Sequence, residues 1–227
     1  MDRTLRSTLL ATVLMAVPLA GRAQTLADYD YDELSFRGIG LDWGLVWPNK
    51  AEATDAWGLR IDLGFLGPAV RVVPSITYWS SEMKRSELGR LADALNELPA
   101  LRDEGVVIDA DDLGTVDWTD LALSIDVHGV FTIPGNVITY GGAGLGLHAL
   151  NGRGESIDDT FVEDLLDTVA AGFAFMAGAE YEPTRHLRLY GEARYALASD
   201  IRYPQLRFGG AFMFPGRSAV APNGGGR

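Results

Sequence analysis

Three side chains in the middle of the chain have the types that hydrolytic chemistry uses: Asp120, Ser124 and His148. A carboxylate that orients an imidazole, and an imidazole that takes a proton from a hydroxyl or a water, are the parts of a nucleophilic triad or of a hydrolytic dyad. Folding the stretch 117–131 back on 137–150 about Pro134-Gly135 sets His148 near Asp120 and leaves Ser124 one inward step further down. His128 then lies at the far end of the same wall, too distant to pair with His148. No motif accompanies Ser124, and a histidine merely hydrogen-bonded to a carboxylate uses the same residues. The sequence is therefore read as non-enzymatic. Metal chemistry has as little support, because the acidic run Asp109-Ala110-Asp111-Asp112 lacks the glycine and spacing of a calcium loop. No cofactor is expected.

The elements that must position these residues are strands. In the stretch from Trp57 to Phe65 the odd positions (Trp57, Leu59, Ile61, Leu63, Phe65) are large and apolar, and the even ones (Gly58, Arg60, Asp62, Gly64) are glycine or charged. A period of two puts these sets on opposite faces of a strand. Repeated glycine gains nothing on an open, watery face. It does make room inside a narrow barrel, where small residues sit beside a few long ones and the apolar face meets lipid. The same alternation recurs over 36–47, 56–66, 69–79, 117–131, 137–150, 168–181, 187–197 and 205–214, which predicts eight strands. Short helical patterns fall inside the two longest breaks, at 86–98 and at 161–166. Breaks between strands alternate long and short, the asymmetry of an up-and-down barrel with long extracellular loops and short periplasmic turns.

On this parity the inward face collects Asp42, Asp62, Asp120, Asp126, Glu180 and Glu192 against Arg60, Arg71, Arg188, Arg194 and Arg207. Buried charges must be paired. The turn after Tyr181 brings Glu180 opposite or diagonal to Arg188, and Gly67-Pro68 brings Asp62 near Arg71, so the set is read as a structural lumen network rather than an ion or proton path. Aromatic residues cluster at strand ends, with Trp47, Trp57, Trp79 and Trp118 assigned to an outer girdle and Tyr181 and Phe214 to an inner one.

The 227 residues suffice for one domain, and the net charge of −12 argues against a nucleic-acid partner, which needs a basic patch. Residues 1–23 read as a signal peptide: Arg3 and Arg6 precede an apolar run, and Gly21-Arg22-Ala23 offers small residues before Gln24. Absence of cysteine removes both a disulfide framework and a lipoprotein anchor. Residues 24–35 are expected to be a periplasmic lead-in, 36–214 the barrel, and 215–227 a Gly-rich disordered tail.

Signal peptide, eight alternating strands and an aromatic-ended last strand together resemble the small outer-membrane β-barrel proteins of the OmpA/OmpX type. The resemblance implies a monomeric, multi-pass outer-membrane barrel with a side-chain-filled lumen. Its implied partners are outer-membrane lipid, lipopolysaccharide and, during biogenesis, the barrel-assembly machinery. Two departures stand out: residues 215–227 follow the aromatic strand end, and no peptidoglycan-binding domain follows the barrel. Alternatives are a small-solute pore, a soluble lipocalin-like lipid-binding barrel and, with least support, an outer-membrane hydrolase.

Overall fold

Strands form wherever the two-residue period holds: β1 (Gly38–Val46), β2 (Thr54–Asp62), β3 (Phe65–Gly67), β4 (Val70–Glu82), β5 (Asp117–Ile133), β6 (Val137–Arg153), β7 (Thr168–Thr184), β8 (Leu187–Ala198) and β9 (Arg202–Met213). The computed structural model describes residues 34–99, 102, 107–135, 137–157, 160–199 and 201–214. The expected signal peptide, all but the last two residues of the lead-in, and the tail 215–227 lie outside them. Strands adjacent in sequence pair antiparallel except β2 and β3, β1 pairs with β9 from Gly38↔Met213 to Val46↔Gln205, and β2 pairs with β4, so the sheet closes. β2 and β3 are two pieces of one stave. Gly64, at φ +76°, kinks the chain between them, and Val72 ties both sides of the kink by accepting from Leu63 N (3.1 Å) and donating to Gly64 O (2.9 Å). Eight staves result, an eight-stranded antiparallel barrel.

Pairing satisfies every stave on both sides, and parity decides the rest. Outward positions are apolar and open, with Leu41 68%, Phe208 58% and Leu145 75% exposed, while inward Asp42, Arg71 and Arg207 are 4% exposed or less. A soluble lipid-binding barrel needs the reverse, with apolar residues inside, so that alternative fails. The inward glycines are the spaces that larger neighbours fill: a Cβ on Gly178 would lie 2.5 Å from the Tyr140 hydroxyl, and one on Gly209 2.6 Å from that of Tyr190.

Connections at one end are tight, at residues 68–69, 134–136 and 185–186. At the other end run 47–53, the long segments 83–116 and 154–167, and 199–201. The last of these is shorter than the break expected at 198–204, because Arg202 and Tyr203 already pair with Leu197 and Ala196. Long loops mark the extracellular end in barrels of this kind.

Helices α1 (Arg85–Asn96) and α2 (Phe161–Leu166) lie in the two long loops. Leu88, Ala92 and Leu95 of α1 share one buried cluster with Leu113, Val116, Trp118, Ile157 and Trp79. Two anchors hold α1 in place: Lys84 Nζ donates to Pro48 O (2.7 Å), and the Asn96 amide exchanges two bonds of 2.8 Å with the Ile108 backbone. Burying Leu88 and Leu95 contributes about 1.5–3 kcal/mol each. The exposed Arg85–Asp111 pair is worth at most about 1 kcal/mol, so packing rather than surface charge holds the cap.

Trp79 and Trp118 belong to this cap. At 1% and 3% exposure they cannot meet lipid, and their assignment to the outer girdle is corrected: both sit on inward parity, where the loops fold over them. Trp47 and Trp57 do point outward near the loop end, and Tyr181 and Phe214 near the turn end, where the Phe36 and Phe214 rings lie 5.1 Å apart.

Leu145 stands at the centre of β6 and Val169 near the loop end of β7, both facing outward. Leu145→Arg is expected to cost about 2–4 kcal/mol in a denaturant titration in lipid vesicles, and Val169→Arg about 0–1 kcal/mol. Equal losses would contradict a depth-dependent lipid face.

Candidate functional site in the barrel lumen

Inward side chains meet in layers, beginning at the turn end. Arg71, on β4, grips Glu180 of β7 with two parallel bonds, Nη1 to Oε2 at 2.8 Å and Nη2 to Oε1 at 2.7 Å. Such a fork fixes geometry as well as charge. Arg188 donates to Asp62 at 2.9 Å and to Glu182 at 2.9 and 2.6 Å, and lies 3.3 Å from Glu180; Arg71 is 3.6 Å from Asp62. Arg71 also donates to Nδ1 of His128 (3.3 Å), which puts the proton of a neutral ring on Nε2. The His128 ring stacks on Tyr140 with centroids 4.5 Å apart.

The middle layer turns on Glu192. It accepts from Arg207 through Nε (3.1 Å) and a shorter Nη2 contact, and from the Tyr140 hydroxyl at 2.8 Å. Arg60 lies 3.9 Å from both Glu180 and Glu192, joining the two layers, and its guanidinium sits 4.1 Å from the centre of the Tyr190 ring. Tyr190 in turn donates to Asp42 at 2.9 Å. Above, Arg194 forks onto Asp126 (2.6 and 3.1 Å) and reaches Ser124 Oγ at 3.1 Å, and Ser75 shares a 2.9 Å bond with Ser124.

The uppermost layer, just under the cap, is Asp120 with His148 Nδ1 at 2.9 Å and the Tyr203 hydroxyl at 2.9 Å. Trp79 packs edge-on against Tyr203 at 5.6 Å. Five arginines thus face five of the six inward carboxylates, and Asp120 is held by an imidazole and a phenol instead.

The hydrolytic arrangement is not assembled. His148 and Asp120 do meet, but Ser124 is turned to Ser75 and Arg194, and the other edge of the imidazole lies against Gly172, where a Cβ would come within 3.0 Å of Nε2. Among the described residues no three metal-ligating side chains converge. A lumen cavity lined by Arg60, Asp62, Arg71, Glu180, Arg188 and Tyr190 measures about 10 Å³, space for one water.

Several contributors escape a reading of the sequence. Tyr203 falls in an expected loop, although it continues the odd parity of Gln205 and Arg207; the intervening Pro204 hides the strand. Glu182 reads as part of a turn, although it continues the even parity of Glu180. Ser75 and Thr77 carry no charge to draw notice, yet Thr77 meets Arg207 at 3.4 Å.

A closed eight-stave sheet with an apolar exterior, a charged and fully packed interior and loops at one end defines an integral β-barrel membrane protein. The chain belongs to the family of the outer membrane protein beta-barrel domain, whose model matches residues 8–214, and its place is the outer membrane. No curated protein matches the sequence. Among solved structures it is similar to Neisserial surface protein A (14% identity, 81% of this chain and 100% of that one, TM-score 0.52). It is also similar to a major outer membrane protein from Thermus thermophilus (13% identity, 78% and 99% covered, TM-score 0.50). The attachment invasion locus protein of Yersinia pestis, solved with the heparin analogue sucrose octasulfate, matches at 12% identity over 80% and 100%, with a TM-score of 0.47. At such identities the likeness is one of fold.

Removing one partner of a buried pair leaves the other charge uncompensated. Glu192→Gln strips Arg207 and Arg60 of a shared anion and should destabilise the barrel by about 3–5 kcal/mol, whereas Glu182→Gln, half in solvent, should cost about 1 kcal/mol or less. Adding Arg207→Met to Glu192→Gln should return part of the loss. Urea titration of the vesicle-inserted barrel reads all three, and a double variant no better than Glu192→Gln would refute the coupling.

Proposed function

We propose that the protein is a non-enzymatic element of the outer membrane with a closed lumen, and that it meets its surroundings through the cap built from 83–116 and 154–167. The observation that carries this reading is the unbroken stack of side chains along the barrel axis. Ion pairs run from Arg188–Asp62 at the turn end to Arg194–Asp126, followed by the hydrogen-bonded Asp120 and His148 and then the apolar lid under Leu88 and Leu95. An eight-stave interior is only wide enough for side chains to fill it, and open channels in this class need about 16 strands. A solute crossing here would have to break several buried pairs in turn.

The rest of the reading follows from the exterior. A sheet closed on itself leaves no strand edge for a second copy, in keeping with a monomer. Its apolar belt faces lipid, and lipopolysaccharide is the lipid that would surround the rim at Trp47 and Trp57. Export through the segment 1–23 and insertion by the barrel-assembly machinery complete the proposed route, with recognition of the aromatic end of β9 internal to the chain because residues 215–227 follow it.

In planar bilayers the purified protein should give no steady large single-channel current. Sustained, ion-selective openings from the folded form would favour a small-solute pore instead.

A further inference from the structure

The lipid-facing belt is uneven where β9, β1, β2 and β4 run side by side. Register sets four aromatic side chains in one outward row there: Phe208 stands opposite Trp43, Trp43 opposite Trp57, and Trp57 opposite Tyr78. The next row towards the turn end is aliphatic, with Leu41 opposite Leu59 and Leu59 opposite Ile76. Residues directly opposed on one face of a sheet have their Cβ atoms roughly 5 Å apart, close enough for their rings to pack. Elsewhere on the belt rings do close on one another, Phe173 on Phe175 at 5.7 Å and Phe212 on Phe214 at 5.2 Å, but no such contact joins the four of this row.

Their separation opens a groove of about 540 Å³, walled by Trp43, Trp57, Tyr78 and Phe208 and floored by Leu59 and the backbone of Gly58. One wall is fixed, since the Trp57 indole donates to Asp55 at 3.1 Å. Trp43 and Trp57 lie three residues in from the loop ends of β1 and β2, and Tyr78 four in from that of β4. The groove therefore opens in the half of the membrane next to the long loops.

We infer that this groove is a fixed binding site for one molecule of outer-leaflet lipopolysaccharide, taken up through its acyl chains. The inference rests on the reading of lipopolysaccharide as the lipid at this rim. The groove is continuous with the apolar belt, so its occupant comes from the bilayer, and its depth selects the outer leaflet. Breadth favours a lipid with several chains on one head group, because four staves are roughly 14 Å across, room for several extended chains abreast. Rings with two torsions each lose little freedom when a chain settles between them, so walls already held apart bind at low entropic cost.

The test uses the full barrel in nanodiscs of phosphatidylcholine doped with lipid A, released into mild detergent and weighed by native mass spectrometry. One retained lipid A per barrel is expected, saturating as its mole fraction rises, and phosphatidylethanolamine at the same mole fraction should be retained about tenfold less. Trp57→Leu lowers a wall and Leu59→Trp fills the floor; each should cut retention about tenfold, the loss that withdrawing about two methylenes from contact produces. Leu147→Trp, the same change in the same row on the far wall, should leave retention unaltered. Trp57→Leu decides the matter if Leu59→Trp does not insert. No retained lipid A, equal retention of phosphatidylethanolamine, a mass of two barrels in place of the adduct, or full retention in both groove variants would overturn the site. A barrel that inserts beside lipid A and retains none loses the site and keeps the reading of the rim, whereas one that inserts only where lipid A is absent loses both.

Discussion

A backbone amide or carbonyl in hydrocarbon has no water to turn to, and everything else in this molecule follows from that constraint. The sheet can meet it only by closing, so β1 and β9, the ends of the barrel in sequence, must pair along their whole length, as they do from Gly38↔Met213 to Val46↔Gln205. Closure at eight staves then fixes the diameter. A lumen that narrow cannot hold bulk water, so its inward residues have to fill it and neutralise one another.

Filling and neutralising are one problem because the long side chains are the charged ones. Arg71, Arg207 and Arg60 span the lumen, and each needs a gap on the opposing wall as well as an anion. The glycines supply the gaps, and the tyrosines use them: the Tyr140 ring lies over Gly178 while its hydroxyl satisfies Glu192, and Tyr190 lies over Gly209 while satisfying Asp42. Buried ion pairs often add no net stability over an apolar filling of the same volume. Their worth here is in register, because a slip of one residue would turn every arginine into lipid and every leucine into the lumen.

The fold was legible because membrane barrels invert the ordinary rule, leaving Leu41, Trp43 and Leu45 outside and Gly40, Asp42 and Gly44 inside, and a two-residue period reports that directly. Strand ends were less so. Gly64 splits one stave by a positive φ that sequence cannot distinguish from an inward spacer glycine, and Pro204 conceals two residues of β9. Parity places Arg71 and Glu180 on the inner face, but they are 109 residues apart and sit on β4 and β7; which charge meets which depends on the stagger of the closed ring, a property of no single strand. Trp79 and Trp118 illustrate the same limit from the other side. Their position at strand ends suits a girdle while their inward parity, legible in the sequence, speaks against it, and the packing of α1 over the mouth makes them a lid.

Everything above depends on a closed, lipid-embedded sheet, and electrophoresis of the outer-membrane fraction tests that most directly. Extracted in mild detergent and left unheated, the protein should migrate as a compact form distinct from the boiled one, because a closed barrel keeps its hydrogen bonds in detergent until heat opens it. Release by osmotic shock without detergent, with a single band that boiling does not move, would contradict it.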